Sequence, residues 1–366
     1  MLPPEGGQGQ GAPRVAERRG RRVVRKASIS MKDVAALAGV SLGTVSNVVN
    51  SPDLVSESTR ERVQVAIAKL GWVPNESARQ LRAGRSRSIG MVVMDIGNPF
   101  FTDVLMAVED CVHAHGYSVQ VGNSASTPAR ESAQLRLFEQ QRVRGVLCAP
   151  IRGVDDRVQD LRRRGIPVVI VDRAGDETGF CSVSVDDVEG GRLAVAHLLG
   201  LGHERIALVG GPSKLQQVRD RRLGADLARA QTGGTAQLLT VSTPALDTGS
   251  GTAAADELVA MTDDERPTAV FAANDLVAIG LLQGFVTHGF RIPEDMAIIG
   301  YDDITFAASA AVPLSSVRQP RSDLGRRAAE LLFDEIDAAD EDRPHEHQSV
   351  RFTPTLVVRR STVGAG

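Results

Sequence analysis

The chain opens without a pattern and then acquires two in turn. Residues 1–27 are rich in Gly, Pro, Gln and Arg and show no apolar period, which predicts a disordered basic extension. From Ser30 the apolar residues fall at helical spacing. Ser30 and Asp33 form a capping-box pattern, Val34, Ala35 and Ala38 share one face, and Gly39 stops the helix. Ser41 is placed to cap a second helix over Thr44–Asn50, with Val45, Val48 and Val49 inward. A third starts at Ser56 and runs over Thr59–Leu70, with Val63, Ile67 and Leu70 inward and Gly71 as its stop. Pro74-Asn75 then break the chain, Glu76–Leu81 is weakly helical, and Ala83–Ser88 reads as a small, basic linker.

From Ile89 the rhythm changes to strand, helix, strand. Short apolar runs at Ile89–Met94, Tyr117–Val121, Gly145–Cys148, Val168–Val171, Ile206–Val209, Ala269–Phe271 and Ala297–Ile299 read as buried parallel strands with helices between them. Two sheets of about six strands each suit this length better than one very large sheet.

Charge follows the same division. The whole chain carries a net −3, but residues 1–88 hold 15 Lys/Arg against 7 Asp/Glu, a net of +8, and the rest hold 27 against 38, a net of −11. A basic head on an acidic body suits a nucleic-acid module joined to a different domain. Residues 1–27 contribute +5 of the head's excess, so motif weighs more than charge. No apolar run approaches the roughly 18–20 residues of a membrane span, and the first 20 residues lack an apolar signal core, so a cytoplasmic protein is expected. Cys111, Cys148 and Cys181 are odd in number and widely spaced, which predicts core thiols rather than disulfides or a zinc ribbon.

The stretch KDVAALAGVSLGTVSNVVN has the features of a helix-turn-helix: small residues where helices cross, glycine at the turn, and valines clamping the second helix. In that motif the second helix enters the major groove. Its outward candidates are Leu42, Gly43, Ser46, Asn47 and Asn50, with Ser41 and Thr44 at its start. Asn47 suits bidentate pairing with adenine, Leu42 suits a thymine methyl, and Thr44 and Ser46 suit phosphate oxygens.

These residues, together with VSESTRERVQVAIAKLGWVPNESARQLR, GIPVVIVDR, PTAVFAANDLVAIG and IPEDMAIIGYDD, resemble the lactose-repressor (LacI/GalR) family of bacterial transcription regulators. The resemblance covers about Ser28–Thr362. It implies a helix-turn-helix head with a hinge helix, followed by a periplasmic-binding-protein-like core of two doubly wound parallel-sheet lobes. It further implies a homodimer on near-palindromic operator DNA. Asn75, Ala78 and Leu81 match the hinge that enters the minor groove, Leu81 as the apolar wedge. Asn47 and Gly43 depart from common family choices, so the family's base preferences do not transfer to this chain.

Lobes of this kind meet in a cleft at the carboxyl ends of their strands, where polar residues after Ile89–Met94, Val168–Val171, Ala269–Ala273 and Met296–Gly300 should point. The body resembles ribose-type sugar-binding proteins, and the matching ligand shell is Asn98, Phe100, Phe101, Asn123, Asp172, Arg173, Arg221, Asn274, Asp302 and Gln319. That set implies a sugar or sugar-like effector. Leu246 stands where a stacking aromatic often sits. Trp72, the only tryptophan, is expected to be structural. Helices near Phe101–His115 and Leu276–Gly289 are the expected dimer surfaces, with Val277, Leu281 and Phe285 equally able to be core.

The expected domain bounds are 1–27, 28–74, 75–88, then one lobe from 89–185 plus 318–346 and another from 186–317 plus 347–366. Other classes fit poorly. There is no GxSxG, Walker or HExxH motif, so no enzyme and no cofactor are expected. His113/His115 and His345/His347 have HxH spacing, but a supporting set of carboxylate or Cys ligands is not evident, so they read as surface histidines and no metal site is expected. A solute-binding protein would carry a signal peptide and lack residues 28–82.

Overall fold

The computed structural model describes residues 29–73, 86–173 and 179–363. The chain divides between Arg82 and Ala83 into two units.

The first unit contains α1 (Met31–Ala38), α2 (Leu42–Asn50), a 3-10 turn (Pro52–Leu54) and α3 (Glu57–Leu70). Asp33 accepts from the Ser30 backbone N–H at 2.8 Å, which closes the N-terminus of α1 and lowers the Asp33 pKa. Gly39 at φ +65° makes the left-handed turn between α1 and α2 that a side chain would resist. Val34, Ala35, Ala38, Val45, Val48, Val63, Ala66 and Trp72 form one core. Trp72 is therefore packing material, as its position suggested.

The second unit has two six-stranded sheets. The first lobe holds β1 (Ser88–Val93), β2 (Ser118–Asn123), β3 (Gly145–Cys148), β4 (Val168–Val171) and β5 (Cys181–Val185). Its helices are α4 (Pro99–Ala114), α5 (Pro128–Gln140) and α6 (Asp156–Arg163). The second lobe holds β6 (Arg205–Gly210), β7 (Gln237–Ser242), β8 (Ala269–Ala272), β9 (Ala297–Asp302) and β10 (Ser315–Arg318). Its helices are α7 (Asp187–Gly200), α8 (Gln216–Gln231), α9 (Thr248–Val259), α10 (Asp275–Thr287) and the short α11 (Thr305–Ser309). The chain then returns through α12 (Arg321–Asp340) and β11 (Ser349–Phe352) to the first lobe, and ends in β12 (Thr355–Val357) and α13 (Arg360–Val363) on the second.

Every strand pairing is parallel except β10 with β12. Parallel sheets covered on both faces call for continuous apolar strands, which is what β1, β3, β4, β8 and the apolar run of β6 supply. One expected boundary moves. Residues 347–366 are expected in the second lobe, yet Ser349–Phe352 pair with Ser182–Val185 of the first sheet, and Val350 and Phe352 pack on its core. The crossover therefore falls at residues 353–354. Val277, Leu281 and Phe285 are fully buried in the second-lobe core, so that face of α10 is not a dimer surface. Among the described residues no helix is long and apolar enough to cross a membrane.

Candidate functional site

On the head, α2 is amphipathic. Val45 and Val48 are buried, while Leu42, Gly43, Asn47 and Asn50 are exposed. Ser41 Oγ accepts from the Thr44 N–H at 3.1 Å and shares a 2.9 Å hydrogen bond with Thr44 Oγ1, so both residues serve as the helix cap. Asn50 Nδ2 donates to Ser46 O at 2.8 Å and to Ser46 Oγ at 3.2 Å, turning the amide back along the helix. Leu42 and Asn47 are left as exposed side chains of α2 that no cap bond engages. Asn75, Ala78 and Leu81 lie outside the described residues, as does the extension 1–27.

A Cβ at Gly43 would meet only Ser41 Oγ, at 3.6 Å, an ordinary contact. Gly43→Ala is thus expected to stabilise the head by up to about 1 kcal/mol, the usual difference in helix propensity. Thermal unfolding of the variant checks this; a loss of stability would mean that α2 is not helical at residue 43.

In the body, the candidate effector residues divide into two groups. Asn98 caps α4, its Oδ1 accepting from Phe100 N–H at 3.0 Å. Asn274 caps α10, accepting from Val277 N–H at 2.9 Å and donating to Leu246 O at 3.1 Å. Asn123 Oδ1 accepts from Ala125 N–H at 3.0 Å in the turn after β2. These three amides build the strand-to-helix turns. Phe100 and Phe101 pack edge to face at 5.0 Å in the first-lobe core. Leu215 of the second lobe joins the same core, and Leu246 touches the cores of both lobes.

The second group forms an interlobe network. Arg221, buried on α8, donates through Nε to Asp187 Oδ1 at 2.8 Å and through Nη1 to Ala273 O at 2.5 Å. Its guanidinium lies 3.6 Å from the Tyr301 ring centroid. Gln319 Nε2 donates to Asp302 Oδ1 at 2.7 Å, leaving Gln319 Oε1 buried without a partner among the described residues. From the other lobe, Asp172 O and Oδ2 accept from Gln217 Nε2 at 2.9 and 3.0 Å. Arg321 ties both lobes. It meets Asp103 of α4 at 2.9 Å and donates to the carbonyls of Asp302 and Asp303 at 2.5 and 2.6 Å. Asp172, Asp302 and Asp303 end their strands with positive φ, at 58°, 101° and 52°. Such conformations are uncommon outside glycine and concentrate at functional sites.

Beside this network lies a cavity of about 140 Å³ lined by both lobes, with Asp172, Arg173, Asp186, Asp187, Asp220 and Arg351 among its walls. Sequence reasoning missed Asp187, Gln217 and Arg321. Their signal was weak, since each acts through a partner distant in sequence. His345 and His347 also differ from expectation. They are half-buried, and Cys181 and Glu335 adjoin them.

Burial sets the charges here. Asp172 is pushed well up by burial, with Asp187 and Asp302 adding to the rise. Burial alone would lower the Arg221 pKa, but Asp187, Tyr301 and Asp302 raise it on balance, so it stays charged. Asp302 is pushed by burial from 3.8 to about 6, against the pull of Arg221 and Gln319. Its folded state therefore keeps a proton that the unfolded chain has released between those values. The associated stability is present below pH 3.8 and is lost as pH rises through about 6. Asp302→Asn, which tolerates positive φ, should remove this loss. Relative to the wild type it should gain stability as pH rises across that window, measured by urea unfolding at several pH values. An unchanged difference across the window would contradict the assignment.

Residues 30–75 match the family description "Bacterial regulatory proteins, lacI family", and residues 195–362 match a periplasmic binding protein-like domain. The HTH-type transcriptional repressor PurR of Photobacterium profundum is 35% identical over 337 residues, covering 91% of this chain and 98% of the relative. The chain belongs to the LacI family. It is a DNA-binding transcriptional repressor of that family, with a helix-turn-helix head and a two-lobed α/β core. Two solved structures are also similar. The transcriptional regulator CelR in complex with cellobiose is 32% identical, with a TM-score of 0.64 over 91% of this chain and 99% of that one. The lac repressor dimer bound to operator and the anti-inducer ONPF is 27% identical, with a TM-score of 0.76 over 92% and 99%.

Proposed function

We propose that this repressor acts as a homodimer on a near-palindromic operator, and that a neutral, hydroxyl-rich ligand between the lobes sets its operator affinity. A sugar or sugar-like molecule is the preferred class. The observation that carries the ligand class is the interlobe cavity, whose walls offer four aspartates (Asp172, Asp186, Asp187 and Asp220) against two arginines (Arg173 and Arg351). Carboxyl groups, ionised or protonated, exchange hydrogen bonds with hydroxyls, which suits a ligand rich in them. No aromatic side chain lines that cavity among the described residues, so a stacked planar base is poorly served.

Ligand pockets usually span roughly 300–1,000 Å³. At about 140 Å³ the cavity is too small for most ligands. The lobes must part to admit one, breaking the Gln217–Asp172 and Arg321 ties. A ligand with differential affinity for the two lobe arrangements shifts their populations, and by linkage it changes operator affinity by the factor that DNA changes its own. Support for the dimer comes from the similar lac repressor dimer and from two exposed apolar side chains, Met106 on α4 and Val286 on α10.

A thermal-shift screen of neutral sugars, sugar phosphates and nucleobases tests the ligand class, with operator footprinting on the hits. The expected result is stabilisation by a neutral sugar, with two protected half-sites one or more helical turns apart. Stabilisation by anionic ligands or bases alone overturns the ligand class, and protection of a single half-site overturns the dimer.

A further inference from the structure

We propose that Cys181, Glu335, His345 and His347 form a binding site for one divalent transition-metal ion of the zinc type. The four donor atoms all lie within 4.8 Å of one another. Cys181 Sγ is 3.2 Å from His345 Nε2 and 3.8 Å from His347 Nδ1, and His347 Nδ1 is 4.0 Å from Glu335 Oε2. A tetrahedral zinc ion, with bonds of about 2.0–2.1 Å to nitrogen and about 2.3 Å to sulfur, holds its donors about 3.3–3.8 Å apart. The cluster needs only a small contraction to reach that geometry.

The donor chemistry is selective. One thiolate and two imidazoles favour zinc over magnesium or calcium, and a thiolate plus a carboxylate neutralise the ion's two charges. The backbone N–H of Gln348 points at Cys181 Sγ from 3.4 Å, a contact that supports a thiolate.

An independent observation also calls for a cation. Glu335 Oε2 is buried and has no hydrogen-bond partner among the described residues. Native structures seldom leave a buried carboxylate oxygen so poorly satisfied.

The ligands come from three segments. Cys181 opens β5, Glu335 lies on α12, and His345 and His347 precede β11. β5 and β11 are parallel neighbours. The cluster sits at their amino ends, and the interlobe cleft lies at the carboxyl ends. The two sites are therefore separate. With four protein donors the metal site is closed, as structural zinc sites are. It would pin together the two strands whose carboxyl ends lead into the second lobe.

The test uses the untagged full chain, stripped with a chelator and titrated with Co²⁺ and then Zn²⁺. The expected result is one equivalent per chain, with the intense visible bands of tetrahedral cobalt, a thiolate charge-transfer band, and displacement of both by Zn²⁺. Cys181→Ser should lose the charge-transfer band. Because Cys181 is fully buried, the double variant His345→Ala/His347→Ala provides a second reading. Its donors are only half-buried, and it should bind more than about 100-fold more weakly, beyond the usual cost of outer-shell changes. Octahedral cobalt spectra, or spectra and affinity unchanged in the folded double variant, overturn the proposal.

Discussion

Arg221→Leu is expected to destabilise the body by about 3–5 kcal/mol, the cost of stripping one partner from a buried ion pair. Leucine fills much of the arginine stem's volume but takes from the buried Asp187 the guanidinium that donates to it. It also leaves Ala273 O without its donor and uncovers one face of Tyr301. Urea unfolding of the full chain, followed by circular dichroism, measures the effect. The companion Asp187→Asn completes a double-mutant cycle, in which the two changes should be far from additive. A loss below about 1 kcal/mol, as for an exposed pair, would show that Arg221 is not held as described. The same geometry bears on function. Arg221 is a structural anchor of the cleft before any ligand arrives, so loss of effector response in its variants is meaningful only where stability is matched.

The second large effect is expected at a helix crossing. A Cβ on Gly224 would sit 1.9 Å from Val188 O and 2.6 Å from Arg192 N, and a Cβ on Gly191 would sit 2.0 Å from Arg221 O. The paired glycines let α7 and α8 touch backbone to backbone, and that contact sets the position of Arg221. Gly224→Ala should force the helices apart and cost about 3 kcal/mol, the upper end of overpacking penalties. The control is Gly200→Ala at the end of α7, where a Cβ meets nothing within 4 Å. It should be neutral or gain up to about 1 kcal/mol. Equal effects at the two positions would remove the close crossing from the account.

What could be read from sequence follows from where the physics is local. β3 and β4 fall on the predicted runs because four consecutive apolar residues buried on both faces leave little choice. β5 escapes because its sequence, CSVSV, buries two serines; one of them, Ser182, donates to Ser349 Oγ at 3.0 Å. β7 and β11 escape because they are edge strands with mixed polarity. In the cleft, the polar residues at strand ends were legible, but not their duties. Asn98 and Asn274 turned out to spend their side chains as caps, whereas Asp172, Arg221, Asp302 and Gln319 entered the buried network. The partners that decide this, Asp187, Gln217 and Arg321, arrive through tertiary packing. The histidine pair before β11 was visible, but Cys181 lies more than 160 residues upstream, and only the β5–β11 pairing brings it alongside.

We propose that α2 reads DNA through the exposed Asn47. Its most direct test starts with duplexes selected from a random pool by the full chain. The affinity of the selected duplex and its single-base variants is then measured for the wild type and for Asn47→Ala at several salt concentrations. The expected result is a loss of about 1–3 kcal/mol of discrimination at one base-pair position in each half-site, with the salt dependence unchanged because no phosphate contact is removed. An Asn47→Ala protein that keeps the wild-type base preferences at every position would contradict it.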